Sequence, residues 1–278
     1  MEKGRGRSGL FLISRQRLYN KNMPPLLNSA LLVTLGLLPS LLWLSYYLRK
    51  DCHPEPKTLL TKTFLLGIII SPAAIVFQLG FVQLGNFFPS PIFSQDSASF
   101  FAWAAFVEEL IKYFVVVLLV LRNPAFDEPV DAMIYMLTAA LGFAAIENIL
   151  VMFKIIPDGA NAALGVWALR SMGATLLHAL SSALLGYFLA MSWFFQAHRK
   201  KLVVMGITMA TLFHLSFNVF LSAFQNRLTG LIYSTSLLLI MAFLISILFD
   251  KIRERHKQSS AGAVLTVQPM KRELNFIK

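Results

Sequence analysis

Long apolar runs separated by short polar segments dominate this chain. They cover 26–48, 59–85, 100–121, 132–153, 164–195, 202–224 and 228–249. A helix needs about 20 mostly apolar residues to cross the hydrocarbon core of a bilayer. The pattern therefore predicts an all-α, polytopic integral membrane protein with about seven transmembrane helices. The fifth run exceeds one crossing and is expected to tilt or to begin in the interface. Neither an internal repeat nor a second domain is visible. The sequence divides into a basic N-terminal extension (1–22), a transmembrane domain (23–250) and a polar, basic segment (251–278) that reads as a loose tail.

Composition sharpens the class. Of 278 residues, 56% are hydrophobic and only 14% charged, and mean hydropathy is +0.64. A water-facing surface normally needs about 25% charged residues, so a soluble enzyme is excluded. The lone cysteine, Cys52, rules out an internal disulfide framework. A net charge of +11 invites a nucleic-acid reading, but the basic residues lie mostly between the apolar runs, which is how membrane proteins set their orientation. With seven spans, loop 49–57, the loop at Arg122, loop 199–201 and the tail share one side, while loop 86–99 on the other has neither Lys nor Arg. The basic side is expected to be cytoplasmic, with the C-terminus on it. Lys3, Arg5, Arg7, Arg15, Arg17 and Lys21 disagree, because this topology puts them outside. A start at Met23, with 1–22 an over-extended reading, is expected. The bilayer is the expected partner, and nucleic acid is not.

Ionisable groups inside spans cost about 2.5–3.5 kcal/mol each on insertion scales and are functional candidates by default. They are Glu108, Glu109 and Lys112 in the third run, Glu147 in the fourth, Arg170 and His178 in the fifth, and His214 in the sixth, with Asn148 and Asn218 alongside. The first, second and seventh runs carry almost nothing comparable, so four consecutive helices point to one shared site. At 1.5 Å per residue, Glu108 and Glu109 lie about 12–14 Å below the outer end of their span, and Glu147 roughly 22 Å above the inner end of its own. His178 and His214 fall at similar depths, so all can meet between the bilayer middle and its outer half.

Helical spacing adds roles. Glu108 and Lys112, four apart with the acid first, suit an intrahelical ion pair. One lysine cannot neutralise two carboxylates, so Glu109 is expected to remain uncompensated, as suits a general acid or base. Asn218 lies one turn from His214 and can orient the imidazole or donate to an oxyanion. The plainer readings are helix-gluing ion pairs and packed histidines. Ser182, four after His178, would make a Ser–His dyad without an oxyanion hole. Asp131 and Glu128-Pro129 are expected to fix a turn. No H-E-x-x-H or G-x-S-x-G motif occurs, so a metal such as zinc would need ligands from different helices. Glu147, His178 and His214 would make three and leave one position for water. A metal-free Glu–His activation of water is equally open.

Taken together, FVEELIKYF (Glu108, Glu109, Lys112), DEPVDAMIYMLTAALGFAAIEN (Asp131, Phe143, Glu147, Asn148), the Arg170/His178 span and HLSFN (His214, Asn218) resemble the motifs of the PrsW family of intramembrane proteases, related to the CAAX-prenyl and bacteriocin-processing membrane proteases. HPEPKTLL is similar to its E-P-E-P segment, though only Glu55-Pro56 matches cleanly. The resemblance implies a membrane endopeptidase of a bacterial cell membrane that cuts a membrane-anchored protein, such as an anti-sigma factor, near the outer half of the bilayer. It implies catalytic Glu108, Glu109, Glu147, His178, His214 and Asn218, supported by Lys112, Arg170 and Asn148. A proton- or ion-coupled transporter, or a non-catalytic partner-binding protein, is the alternative.

Overall fold

The computed structural model describes residues 25–50, 53–224 and 226–265. The basic extension, Met23, Cys52 and residues 266–278 lie outside the described residues. Every described element is helical: α1 (Pro25–Leu48), α2 (Lys57–Phe87), α3 (Ala98–Leu119), α4 (Asp131–Ile155), α5 (Ala160–Met172), α6 (Ala174–Phe194), α7 (Arg199–Ala223) and α8 (Arg227–Leu265), with short 3-10 turns between some of them.

Six helical segments are long and apolar enough to cross a membrane: Ser29–Leu48, Lys57–Phe87, Asp131–Asp158, Ala160–Phe194, Gln196–Ala223 and Arg227–Ser259. The remaining expected span is α3. Its 22 residues give the required length of about 33 Å, but Glu108, Glu109 and Lys112 keep it out of the apolar count. Its neighbours α2, α4, α6 and α7 explain how it holds those charges, since they face protein rather than lipid.

At the centre stands α4. All its residues from Asp131 to Ala145 are buried, as expected of a helix that is apolar all round, and α1, α2, α3, α5 and α6 pack on it. Small residues allow the close approach. A Cβ on Gly142 would run into the Phe64 carbonyl oxygen of α2, and one on Gly186 of α6 would lie 2.7 Å from the Met133 Cα. Within α2, Pro72 has no N–H for the Ile68 carbonyl, and the Ser71 hydroxyl donates to that carbonyl instead at 3.0 Å.

Two expectations are modified. The fifth run is two helices, α5 and α6, separated at Gly173 with φ −99° and ψ −89°. The break keeps the space beside the Leu169 carbonyl oxygen, which a Cβ at position 173 would approach to 2.7 Å. The segment read as a loose tail is helical as far as Leu265. Buried Ile252 and the Arg255 guanidinium over the Phe194 and Phe195 rings, at 5.2 and 4.6 Å, hold it against the bundle.

The turn reading of Asp131 agrees with the geometry. Its Oδ2 accepts the backbone N–H groups of Asp127 and Glu128 at 2.9 and 2.8 Å. Next to it the Tyr135 hydroxyl donates to Glu55 Oε2 at 2.5 Å, tying the segment before α2 to α4.

Candidate active site

Helix α3 starts on a Ser97 cap, whose hydroxyl accepts the Phe100 N–H at 3.1 Å, and carries Glu108 and Glu109 inward. Successive helical residues diverge by about 100°, so the two carboxylates meet different neighbours. Glu109, fully buried, points towards α6 and α7. Its Oε1 accepts from Lys112 Nζ at 2.8 Å, Ser181 Oγ at 2.8 Å and His214 Nδ1 at 3.0 Å. Its Oε2 accepts from Ser182 Oγ at 2.8 Å. Glu108 points towards α2 and both histidines. Gln78 Nε2 donates to its Oε1 at 2.9 Å, whereas Oε2 is buried with no hydrogen-bond partner among the described residues.

The expected pairing is thereby reversed. Lys112 pairs with Glu109, three residues away, and among the described residues Glu108 pairs with no lysine or arginine and has only the two histidines nearby. The reason is tertiary: the serines of α6 and His214 of α7 converge on Glu109, and Lys112 joins them from the next turn of α3. The Lys112 ammonium also lies 2.7 Å from His178 Nδ1 and 4.8 Å from the centre of the Phe143 ring.

Each histidine uses one nitrogen on a carboxylate. His214 Nδ1 bonds Glu109, and His178 Nε2 lies 2.8 Å from Glu147 Oε2. Their other nitrogens face the unengaged oxygen of Glu108, with His214 Nε2 at 3.7 Å and His178 Nδ1 at 3.9 Å from Oε2. One ligand atom from each of Glu108, His178 and His214 falls within 4.8 Å of the others. One carboxylate and two imidazoles are a donor set used for catalytic zinc with an open position. A buried carboxylate oxygen that lacks any donor fits such a group as well, because leaving it unsatisfied is costly. Glu147, expected in this triad, stands behind His178 instead.

Glu147 and Arg170 form the open margin. Arg170 Nη2 donates to Glu147 Oε2 at 3.3 Å, with side chains 29% exposed for Glu147 and 23% for Arg170, against 3% and 4% for the two histidines. Arg170 Nε donates to Asn148 Oδ1, and Asn148 Nδ2 to Thr175 Oγ1, both at 2.8 Å. Asn218 is half-buried on α7, and its side chain makes no hydrogen bond among the described residues. Glu109, not Asn218, orients His214.

Ser181, Thr175 and Gln78 were not singled out from sequence, and Ser182 entered only as half of a dyad. Its hydroxyl is committed to Glu109. Helical spacing carried a signal, since Ser181 and Ser182 lie three and four after His178. Gln78 offered only one of two carboxamides, with Gln83, within an apolar run.

Comparison with known proteins covers the same residues. The model of a family described as PrsW family intramembrane metalloprotease matches residues 55–248. A protein named Protease PrsW from Geobacillus kaustophilus is 31% identical over 170 residues, covering 61% of this chain and 70% of that protein. Its namesake from Oceanobacillus iheyensis is 30% identical over 197 residues, covering 70% and 85%. That from Bacillus subtilis is 28% identical over 206 residues, covering 70% and 84%. No solved structure matches this chain. Because the family match extends over most of the chain and over every member of the polar cluster from Glu108 to Asn218, this chain belongs to the PrsW family of intramembrane proteases and is a membrane-embedded endopeptidase.

Proposed function

We propose that Glu108, His178 and His214 hold a divalent metal such as zinc, and that the enzyme hydrolyses a peptide bond of a membrane-anchored protein. The observation that carries this reading is the buried, partnerless Oε2 of Glu108 facing one nitrogen of each histidine. When bound there, the metal polarises the scissile carbonyl and makes water a nucleophile near neutral pH.

The surrounding residues prepare the ligands. An N–H that His214 donates from Nδ1 to Glu109 leaves the Nε2 lone pair facing Glu108. Glu147 does the same for His178 through Nε2, which leaves the Nδ1 lone pair on the site's side, where the Lys112 ammonium 2.7 Å away must yield it before a metal binds. Such outer partners are worth about 10–100-fold in metal affinity or activity. Glu109 is enclosed by four donors and is a positioning residue rather than an activator of water. Glu147 is the most exposed carboxylate of the cluster, and no hydrogen bond engages its Oε1 among the described residues. Asn218, one turn from His214, donates its amide N–H to the developing oxyanion.

Substrate reaches the site from the Glu147–Arg170 margin. The basic end of the bundle, where His53, Glu128, Arg253, His256 and Lys257 line one small cavity, faces the cytoplasm and carries the C-terminal part of α8. The site stands about 24 Å along α4 from that end, which suits a cut in the outer half of the bilayer, as in a membrane-anchored anti-sigma factor.

The test is cleavage of single-pass membrane proteins by purified enzyme in liposomes. Chelator is expected to stop cleavage and zinc to restore it. Glu108→Gln and His214→Ala are each expected to abolish both cleavage and zinc binding. Wild-type cleavage that persists through exhaustive chelation would remove the metal from the reading.

A further inference from the structure

Two adjacent glutamates on α3 are treated differently. Glu109 receives a cation, two hydroxyls and an imidazole, whereas Glu108 receives one neutral amide, that of Gln78. We propose that Gln78 is a positioning residue that turns Glu108 so that its Oε2 is presented to the metal. This inference rests on the reading of Glu108 as a ligand.

Three observations support it. Gln78 sits on a lipid-facing stretch: Val76, Phe77 and Leu79 are 68%, 54% and 51% exposed. An amide on such a stretch is costly unless it is bonded, and the bond it makes is to Glu108. The register between α2 and α3 is set independently, by Trp103 Nε1 donating to the Phe77 carbonyl at 3.1 Å and by Phe81 stacked on Trp103 at 5.7 Å. These contacts place Gln78 opposite Glu108 whether or not the amide bonds. Finally, a carboxylate can rotate about its last torsion and exchange its two oxygens. Holding Oε1 on the α2 side removes that freedom and leaves Oε2 towards His178 and His214.

The neutrality of the donor matters as much as its place. A lysine or arginine at position 78 would also hold Oε1, but would offset the charge that draws a metal. Glu109 carries such an offset and stands behind a histidine. Glu108, lacking it, stands in front.

The experiment compares wild type, Gln78→Met, Gln78→Asn and Glu108→Gln as purified full-length chains, by zinc competition and by the visible absorption of bound cobalt(II). Methionine keeps the length without the donor, and asparagine keeps the amide one methylene short. Both are expected to weaken zinc about 10–100-fold, the range for outer-shell partners. They should also alter the cobalt spectrum and lower kcat at limiting zinc, while KM for substrate stays unchanged. If the two Gln78 variants bind zinc as wild type does while Glu108→Gln does not, the positioning role is overturned and the site stands. If Glu108→Gln also binds zinc normally, both fall.

Discussion

Two buried acidic clusters, at different levels of the same bundle, show what separates a structural carboxylate from a reactive one. Near the start of α4, Asp131 Oδ2 takes two backbone N–H groups and Glu55 takes the Tyr135 hydroxyl. These bonds tie loops to a helix start. Higher in the bundle, Glu109 is equally committed, but Glu108 keeps a buried oxygen with nothing donating to it, between two imidazoles. Burial and acidic side chains are common to both clusters. Among the described residues the unsatisfied carboxylate oxygen belongs to one, and a ligand or a reaction is one reason a native structure retains such an atom.

Substitutions can break this contrast. The largest effect is expected at Glu108→Gln, which should eliminate proteolysis in the liposome assay while the protein remains folded by circular dichroism. Glu109→Gln comes next. It strands the buried Lys112 ammonium, so unfolding in detergent should show a loss of about 3–5 kcal/mol, and the folded fraction should bind zinc more weakly through His214. Asp131→Asn should cost about 1–3 kcal/mol, by weakening an acceptor of two buried N–H groups, with specific activity per folded molecule unchanged. If Asp131→Asn instead removed activity from folded protein, the two clusters would not be distinct in role. The smallest effect is expected from Ser97→Ala, which removes the cap of α3 at a cost of about 1 kcal/mol, measurable as a lowered unfolding midpoint with kcat intact.

Much of the architecture was legible in the apolar runs. Each of the seven expected segments contains a helix, and Glu108, Glu109, Lys112, Glu147, Arg170, His178 and His214 all reach one cluster or its margin. That succeeded because membrane crossing is decided by length and transfer free energy, which are properties of a local stretch. The Gly173 break was not legible: the apolar pattern runs through it, and only the backbone turn there divides α5 from α6. Gln78 escaped notice for a related reason. An amide in an apolar run is unremarkable until the helix opposite places a carboxylate 2.9 Å away.

The pairing of Lys112 marks the boundary between the two kinds of information. From spacing, the i,i+4 partner Glu108 and the i,i+3 partner Glu109 are near equals. The sequence by itself determined that two acids and one lysine share a helix, that two histidines lie on later helices, and that all are buried at a cost demanding compensation. Tertiary structure alone decided which acid was compensated. The packing of α6 and α7 brought Ser181, Ser182 and His214 to Glu109, while α2 offered Glu108 one neutral amide. Buried electrostatics depend on the distances between groups on different helices, and those distances exist only once the helices have packed.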